Sequence, residues 1–140
     1  MLHYKSTSED ETIAIAQEYA KTIQAGDIIA FYGDLGAGKS LFCRELIRTL
    51  CHDPELHVPS PTFTLVQTYD SDIAEIWHFD MYRINDPDEI YELGWEEALA
   101  GNITLIEWPE RIASLLPKKI KKVEFSAISD NFRDINISEP

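Results

Sequence analysis

Apolar positions along this chain follow two periods, one helical and one alternating, and the switches between them outline a succession of helices and strands. Ser8-x-x-Glu11 has the form of a helix capping box, and Ile13, Ala16, Ala20 and Ile23 then recur at helical spacing until Gly26 ends the run. The pattern assigns no element before Ser8. Asp27-Ile28-Ile29-Ala30-Phe31-Tyr32 reads as a buried strand, and the apolar positions from Leu41 to Ile47 open a helix expected to reach about Cys51 and stop before Pro54. A β-rich run from Thr64 to Tyr69, a turn at Asp70-Ser71-Asp72 and a second run from Ile76 to Asp80 predict a hairpin.

Beyond it, Pro87 starts a helix at about Asp86 that carries Ile90, Leu93 and Ala98 toward the core with Gly94 inside it. Ile103-Thr104-Leu105-Ile106-Glu107 is a short buried strand with an acid at its end, and Glu110 to Leu116 is a short helix stopped by Pro117. Val123–Ile128 and Arg133–Ile137 form a final hairpin around Asp130-Asn131. The sequence holds no internal repeat, low-complexity stretch or linker, so residues 1–140 are expected to form one domain. Helices alternating with strands, with two hairpins intruding, predict an α/β sandwich of the P-loop NTPase type, its mixed β-sheet flanked by helices.

Charge narrows the range of partners. Twelve Lys and Arg against 25 Asp and Glu leave a formal charge of -13 on 140 residues. A surface this acidic repels phosphate backbones and argues against stand-alone nucleic-acid binding, although acidity also serves solubility. No stretch has the length of a membrane span, and Met1-Leu2-His3-Tyr4-Lys5 turns polar at once, unlike a signal peptide. Cys43 and Cys51 stand eight apart on or near one rigid helix, too far for a disulfide. They read as small apolar core residues of a reducing cytoplasm.

Chemistry enters at Gly33-Asp34-Leu35-Gly36-Ala37-Gly38-Lys39-Ser40, which fits the Walker A pattern G-x-x-x-x-G-K-[ST] between a strand and a helix. Glycines let successive N–H groups face one concavity that holds phosphate oxygens, and the helix N-terminus adds its dipole. Lys39 is expected to stand exposed in the loop, packing nothing, with its charge reaching the β- and γ-phosphates, while the Ser40 hydroxyl ligates Mg²⁺. A second acid at a strand end is needed for the metal, and two qualify: Asp80 and Glu107. Glu107 follows the cleaner apolar run, which favours it for Mg²⁺ and leaves Asp80 to orient the attacking water or sense the γ-phosphate. His78-x-Asp80 places both side chains on one strand face at a spacing that could hold a metal, but a satisfied histidine is the simpler account. Arg83 is the nearest candidate for a cation acting in cis, and a surface salt bridge accounts for it equally well. The hydroxyl-rich segment Ser60-Pro61-Thr62-Phe63-Thr64-Leu65 suits a loop that responds to the γ-phosphate, or an ordinary lead-in to the strand.

The Walker A loop, Ser60–Leu65, His78-Phe79-Asp80-Met81-Tyr82-Arg83 and Ile106-Glu107-Trp108-Pro109-Glu110-Arg111 occur in that order. Together they resemble the TsaE (YjeE) family, the ATPase subunit of bacterial tRNA threonylcarbamoyladenosine biosynthesis, over a span from about Ser8 to about Arg133. The resemblance implies ATP and Mg²⁺ as cofactors. It also implies a TsaD-like threonylcarbamoyl transferase and a TsaB-like scaffold as partners, with tRNA met only through the complex. It implies nucleotide contacts from Gly33, Asp34, Gly36, Ala37, Gly38, Lys39, Ser40 and Leu41, Mg²⁺ ligation by Ser40 and Glu107, and activity dependent on Asp80 and Lys39. Arg133 matches a C-terminal arginine of the nucleotide site, and the helix start near Glu9 and Thr12 would border the adenine. Ser40 replaces the more frequent threonine and Met81 the usual leucine, and both exchanges keep the chemistry. Two other classes fit the Walker A loop alone: a small P-loop kinase, for which no arginine-rich lid is evident, and a nucleotide-dependent binding module that hardly turns ATP over.

Overall fold

Ser8 caps the first helix as its spacing predicts, its Oγ accepting the Glu11 N–H at 3.1 Å, while the Glu11 carboxylate reaches back to the Thr7 N–H at 2.9 Å. The computed structural model describes residues 1–34, 36–129 and 132–140. Its elements are β1 (Leu2–Ser6), α1 (Glu9–Ala20), β2 (Ile28–Tyr32), α2 (Lys39–Leu50), β3 (Val66–Asp70) and β4 (Glu75–Asp80). There follow α3 (Trp95–Ala98), β5 (Ile103–Glu107), β6 (Lys121–Ser129) and β7 (Phe132–Ser138), with 3₁₀ segments at Pro87–Leu93 and Pro109–Leu115.

The strands form one mixed seven-stranded sheet in the order β1-β7-β6-β2-β5-β4-β3. Its middle, β6-β2-β5-β4, is parallel, and antiparallel pairs close both sides. Alternation along the strands splits the core into two layers. Ile29, Phe31, Ile76, Ile103 and Leu105 pack with Ala16 and Tyr19 of α1 and Phe42, Leu46 and Ile47 of α2. Trp77, Phe79 and Ile106 face the other way, toward Ile90, Trp95, Ala98 and Ile112. Both faces are covered, which is why β5 is apolar almost without interruption and all five of its residues are buried.

Three expectations change. β1 lies before Ser8, where the pattern assigned nothing; it pairs antiparallel with β7 and buries only Ser6. α1 ends at Ala20 rather than at Gly26, with the Thr22 hydroxyl donating to the Tyr19 carbonyl at 2.8 Å. The helix expected through Gly94 is two pieces, a 3₁₀ segment capped by Asp86 and the single turn α3. Gly94 is left-handed at φ +93, and a Cβ there would meet the Trp77 ring at 2.6 Å, so the chain turns under that indole instead of continuing the helix. The turn expected at Asp130-Asn131 lies outside the described residues.

Candidate nucleotide-binding site

Parallel pairing delivers the chemistry to the C-terminal ends of three central strands. Phe31 of β2 and Asp80 of β4 are both in register with Glu107 of β5, so the strand leading into the Walker A loop ends beside both acids. The two-residue period puts His78 and Asp80 on the face of Ile76, and Glu107 on that of Ile103 and Leu105, beneath α2. Gly33 opens the loop where only glycine fits: a Cβ would stand 2.9 Å from the Phe125 carbonyl oxygen at φ +146.

Lys39 is the first residue of α2 and is 5% exposed, which corrects the expectation of a solvated side chain that packs nothing. Its ammonium donates to the Gly33 carbonyl and lies 3.6 Å from the centre of the Trp108 ring. Burial pulls its pKa down, against the opposing pull of Glu107, Glu110 and Asp80. Trp108 itself is left-handed at φ +57, a conformation that costs a bulky residue about 1–3 kcal/mol. An indole held there roofs the lysine and packs on Tyr82 at 4.8 Å.

The two acids differ. Glu107 accepts from the Ser40 hydroxyl at 3.0 Å through Oε1 and meets His78 Nε2 at 2.7 Å through Oε2. Burial pushes its carboxyl up, but His78, Ser40 and Lys39 together outweigh burial and hold it below the ordinary range. Asp80 accepts the Tyr82 N–H at 3.0 Å and the Thr62 hydroxyl at 3.3 Å, and burial leaves its pKa raised. Ser60 and Thr62 join at 3.0 Å, linking the hydroxyl-rich segment to Asp80.

These groups line a cleft of about 660 Å³. Of the residues expected there, Glu9, Gly36, Gly38, Lys39, Ser40, Leu41, Asp80, Glu107 and Arg133 line it, as does Thr12. Gly33, Asp34 and Ala37 shape the loop without lining the cleft: the Ala37 side chain is core, and its N–H donates to the Asp34 carbonyl at 3.1 Å. Leu35 lies outside the described residues. Arg133 ties the C-terminal hairpin to the loop through Nη2 and the Gly36 carbonyl at 3.2 Å. Across residues 6–135 the sequence matches the family model described as "Threonylcarbamoyl adenosine biosynthesis protein TsaE". The chain belongs to the TsaE family. It is 47% identical to the TsaE protein of Rickettsia bellii over 94% of this chain and 90% of the relative. With the Bacillus subtilis TsaE protein it shares 32% identity over 98% of this chain and 85% of the relative. The crystal structure of Bacillus subtilis YdiB superposes with a TM-score of 0.78 at 26% identity, covering 99% of this chain and 84% of that one.

In this TsaE-family chain Arg83 stands away from the cleft. Its guanidinium stacks 4.5 Å over the exposed Phe63 ring, and it does not line the cleft. Arg44 does, and its Nε is buried with no hydrogen bond but 3.9 Å from the Glu45 carboxylate. Sequence reasoning passed over it, although it follows Ser40 by four residues and so shares that face of α2. Trp108 and Tyr82 also line the cleft, and Ser8 and Ser60 complete the rim.

Proposed function

We propose that this chain is the ATP-binding and hydrolysing subunit of the machinery that makes threonylcarbamoyladenosine in tRNA. In this reading it acts with TsaB- and TsaD-like partners and meets tRNA only through them. The observation that carries it is the Ser40–Glu107 contact at 3.0 Å, at the foot of a Walker A helix inside a nucleotide-sized cleft. The names of the relatives support the pathway. The donor set fits Mg²⁺, because a hydroxyl and a carboxylate are hard oxygen ligands already side by side. When bound, the ion would neutralise charge on the phosphates. Lys39 swings from the Gly33 carbonyl to the β- and γ-phosphates, and Trp108 keeps water off that charge. Glu107 stays ionised. Asp80, fixed by Tyr82 and Thr62, holds the attacking water in line, and Glu9 and Thr12 border the base.

The chain works as one P-loop domain, and the cytoplasm suits its two free thiols. No helix among the described residues is long and apolar enough to cross a membrane. With Arg83 turned away and Arg44 beside the Glu45 carboxylate at 3.9 Å, intrinsic hydrolysis is slow, because P-loop proteins lacking a well-placed arginine run about 10³–10⁵ slower than those supplied with one. The test is phosphate release by the purified chain, alone and with saturating TsaB–TsaD complex, repeated with Thr62→Ala. A rise with partners that Thr62→Ala blunts supports the reading. Phosphoryl transfer to a small molecule without partners would replace it with a kinase, and binding without turnover in either condition would leave a nucleotide-dependent binding module.

A further inference from the structure

Cys43, His78 and Glu107 come from three elements, α2, β4 and β5, yet one ligand-capable atom of each lies within 4.8 Å of the other two. Cys43 is fully enclosed, and His78 and Glu107 are each 2% exposed. Helical phase explains the thiol: Cys43 follows Lys39 by one turn, on the face that covers the sheet. Only one nitrogen of His78 is used by the fold. Nε2 meets Glu107, whereas Nδ1 is buried with no hydrogen-bond partner. Leaving a buried polar group unsatisfied costs about 1–3 kcal/mol; an ion on Nε2 would leave Nδ1 as the N–H of a neutral imidazole.

We propose that Cys43, His78 and Glu107 form a site for a thiophilic divalent ion, Zn²⁺ in the first instance, with a fourth position left to water. The donor set discriminates against Mg²⁺, which takes hard oxygen ligands, and matches the thiolate–imidazole–carboxylate mixtures that hold Zn²⁺ or Co²⁺. Charge balances: the thiolate and carboxylate neutralise the dication and the imidazole adds none, so a neutral group occupies the core. Binding releases the thiol proton to solvent and leaves the imidazole proton on Nδ1. Tetrahedral Zn–S, Zn–N and Zn–O bonds set ligand atoms roughly 3.3–3.6 Å apart. The 2.7 Å His78–Glu107 contact therefore opens by roughly 0.6 Å while Cys43 closes in. The site goes beyond the ATPase reading and does not rest on it, but it shares Glu107, so a thiophilic ion and Mg²⁺ would compete for that carboxylate.

The test is to titrate the metal-stripped full-length chain with Co²⁺, with no nucleotide present, and then to displace the Co²⁺ with Zn²⁺. One equivalent should bind with a sulfur-to-cobalt charge-transfer band in the near ultraviolet. Cys43→Ser should abolish the band and weaken Zn²⁺ by at least about 100-fold, since changes in outer-shell partners alone reach that range. Cys51→Ser, whose thiol donates to the Asp70 carbonyl at 3.3 Å, should change neither. The wild-type titration decides the matter even if Cys43→Ser does not fold. No saturable binding, or Co²⁺ bound without a thiolate band, overturns the site, and so does a band that survives Cys43→Ser.

Discussion

Exchanging each site acid for its amide should move stability in opposite directions, because the fold treats the two carboxylates oppositely. Glu107 is held ionised: His78 at 2.7 Å and the Ser40 hydroxyl at 3.0 Å favour its charge. Glu107→Gln keeps shape and both contacts, with the amide oxygen on His78 and the NH₂ on the serine oxygen. What disappears is charge assistance, worth about 1 kcal/mol over neutral hydrogen bonds. Asp80 is the reverse case, since burial disfavours its charge. Asp80→Asn retains the Tyr82 N–H bond and can donate to Thr62 Oγ1, while removing an ion the interior does not welcome. It should leave stability unchanged or raise it, while turnover collapses.

The pH dependence separates the two further. A folded-state pKa below the ordinary value of 4.5 means that the Glu107 contribution is complete above about pH 4.5 and is lost as pH falls through the depressed value. For Asp80, raised above 3.8, ionisation weighs on the fold above the raised value, and acidification below 3.8 relieves it. Urea melts at pH 7 should therefore put Glu107→Gln below wild type and Asp80→Asn level or above, with both gaps narrowing toward acid pH. A Glu107→Gln protein as stable as wild type at pH 7, or an Asp80→Asn protein weaker by more than about 1 kcal/mol, would refute this account of the site.

Lys39→Ala should lower nucleotide affinity more than tenfold by calorimetry, a charge-assisted phosphate contact being worth about 1.5–3 kcal/mol, and should also lower the melting temperature through loss of the Trp108 contact. Arg44→Ala should weaken nucleotide binding or turnover several-fold in a phosphate-release assay, whereas Arg83→Ala, stacked on Phe63 outside the cleft, should stay within about twofold. Gly94→Ala should destabilise by about 2–4 kcal/mol in chemical denaturation, combining a left-handed alanine with a contact of 2.6 Å against the Trp77 ring.

What could be read from the chain, and what could not, follows from the range of the forces involved. The Walker A loop, the capping box and the strand-end acids are local signals, each contained in a few residues, and the fold places them where those signals point. β1 carries almost no such signal. Its side chains are mostly exposed, and it exists because its backbone pairs with β7, 131 residues on at the His3–Asp134 contact. Gly94 fails for the opposite reason: a helical period continues through it, but the residue is left-handed and the indole of Trp77, on β4, fills the space a side chain there would need. The site divides along the same line. Ser40 and Glu107 were legible one at a time, but the 3.0 Å contact that joins them depends on β5 lying next to β2, which no window of sequence contains. Arg44 and Cys43 were legible in principle, because four residues after Ser40 and Lys39 respectively they repeat those residues' helical phase. Phase fixes direction and not destination, however. Adjacent positions on α2, about 100° apart around its axis, send Arg44 to the cleft and Cys43 into the sheet against His78, and the neighbouring strands decide which becomes a polar contact and which a buried thiol.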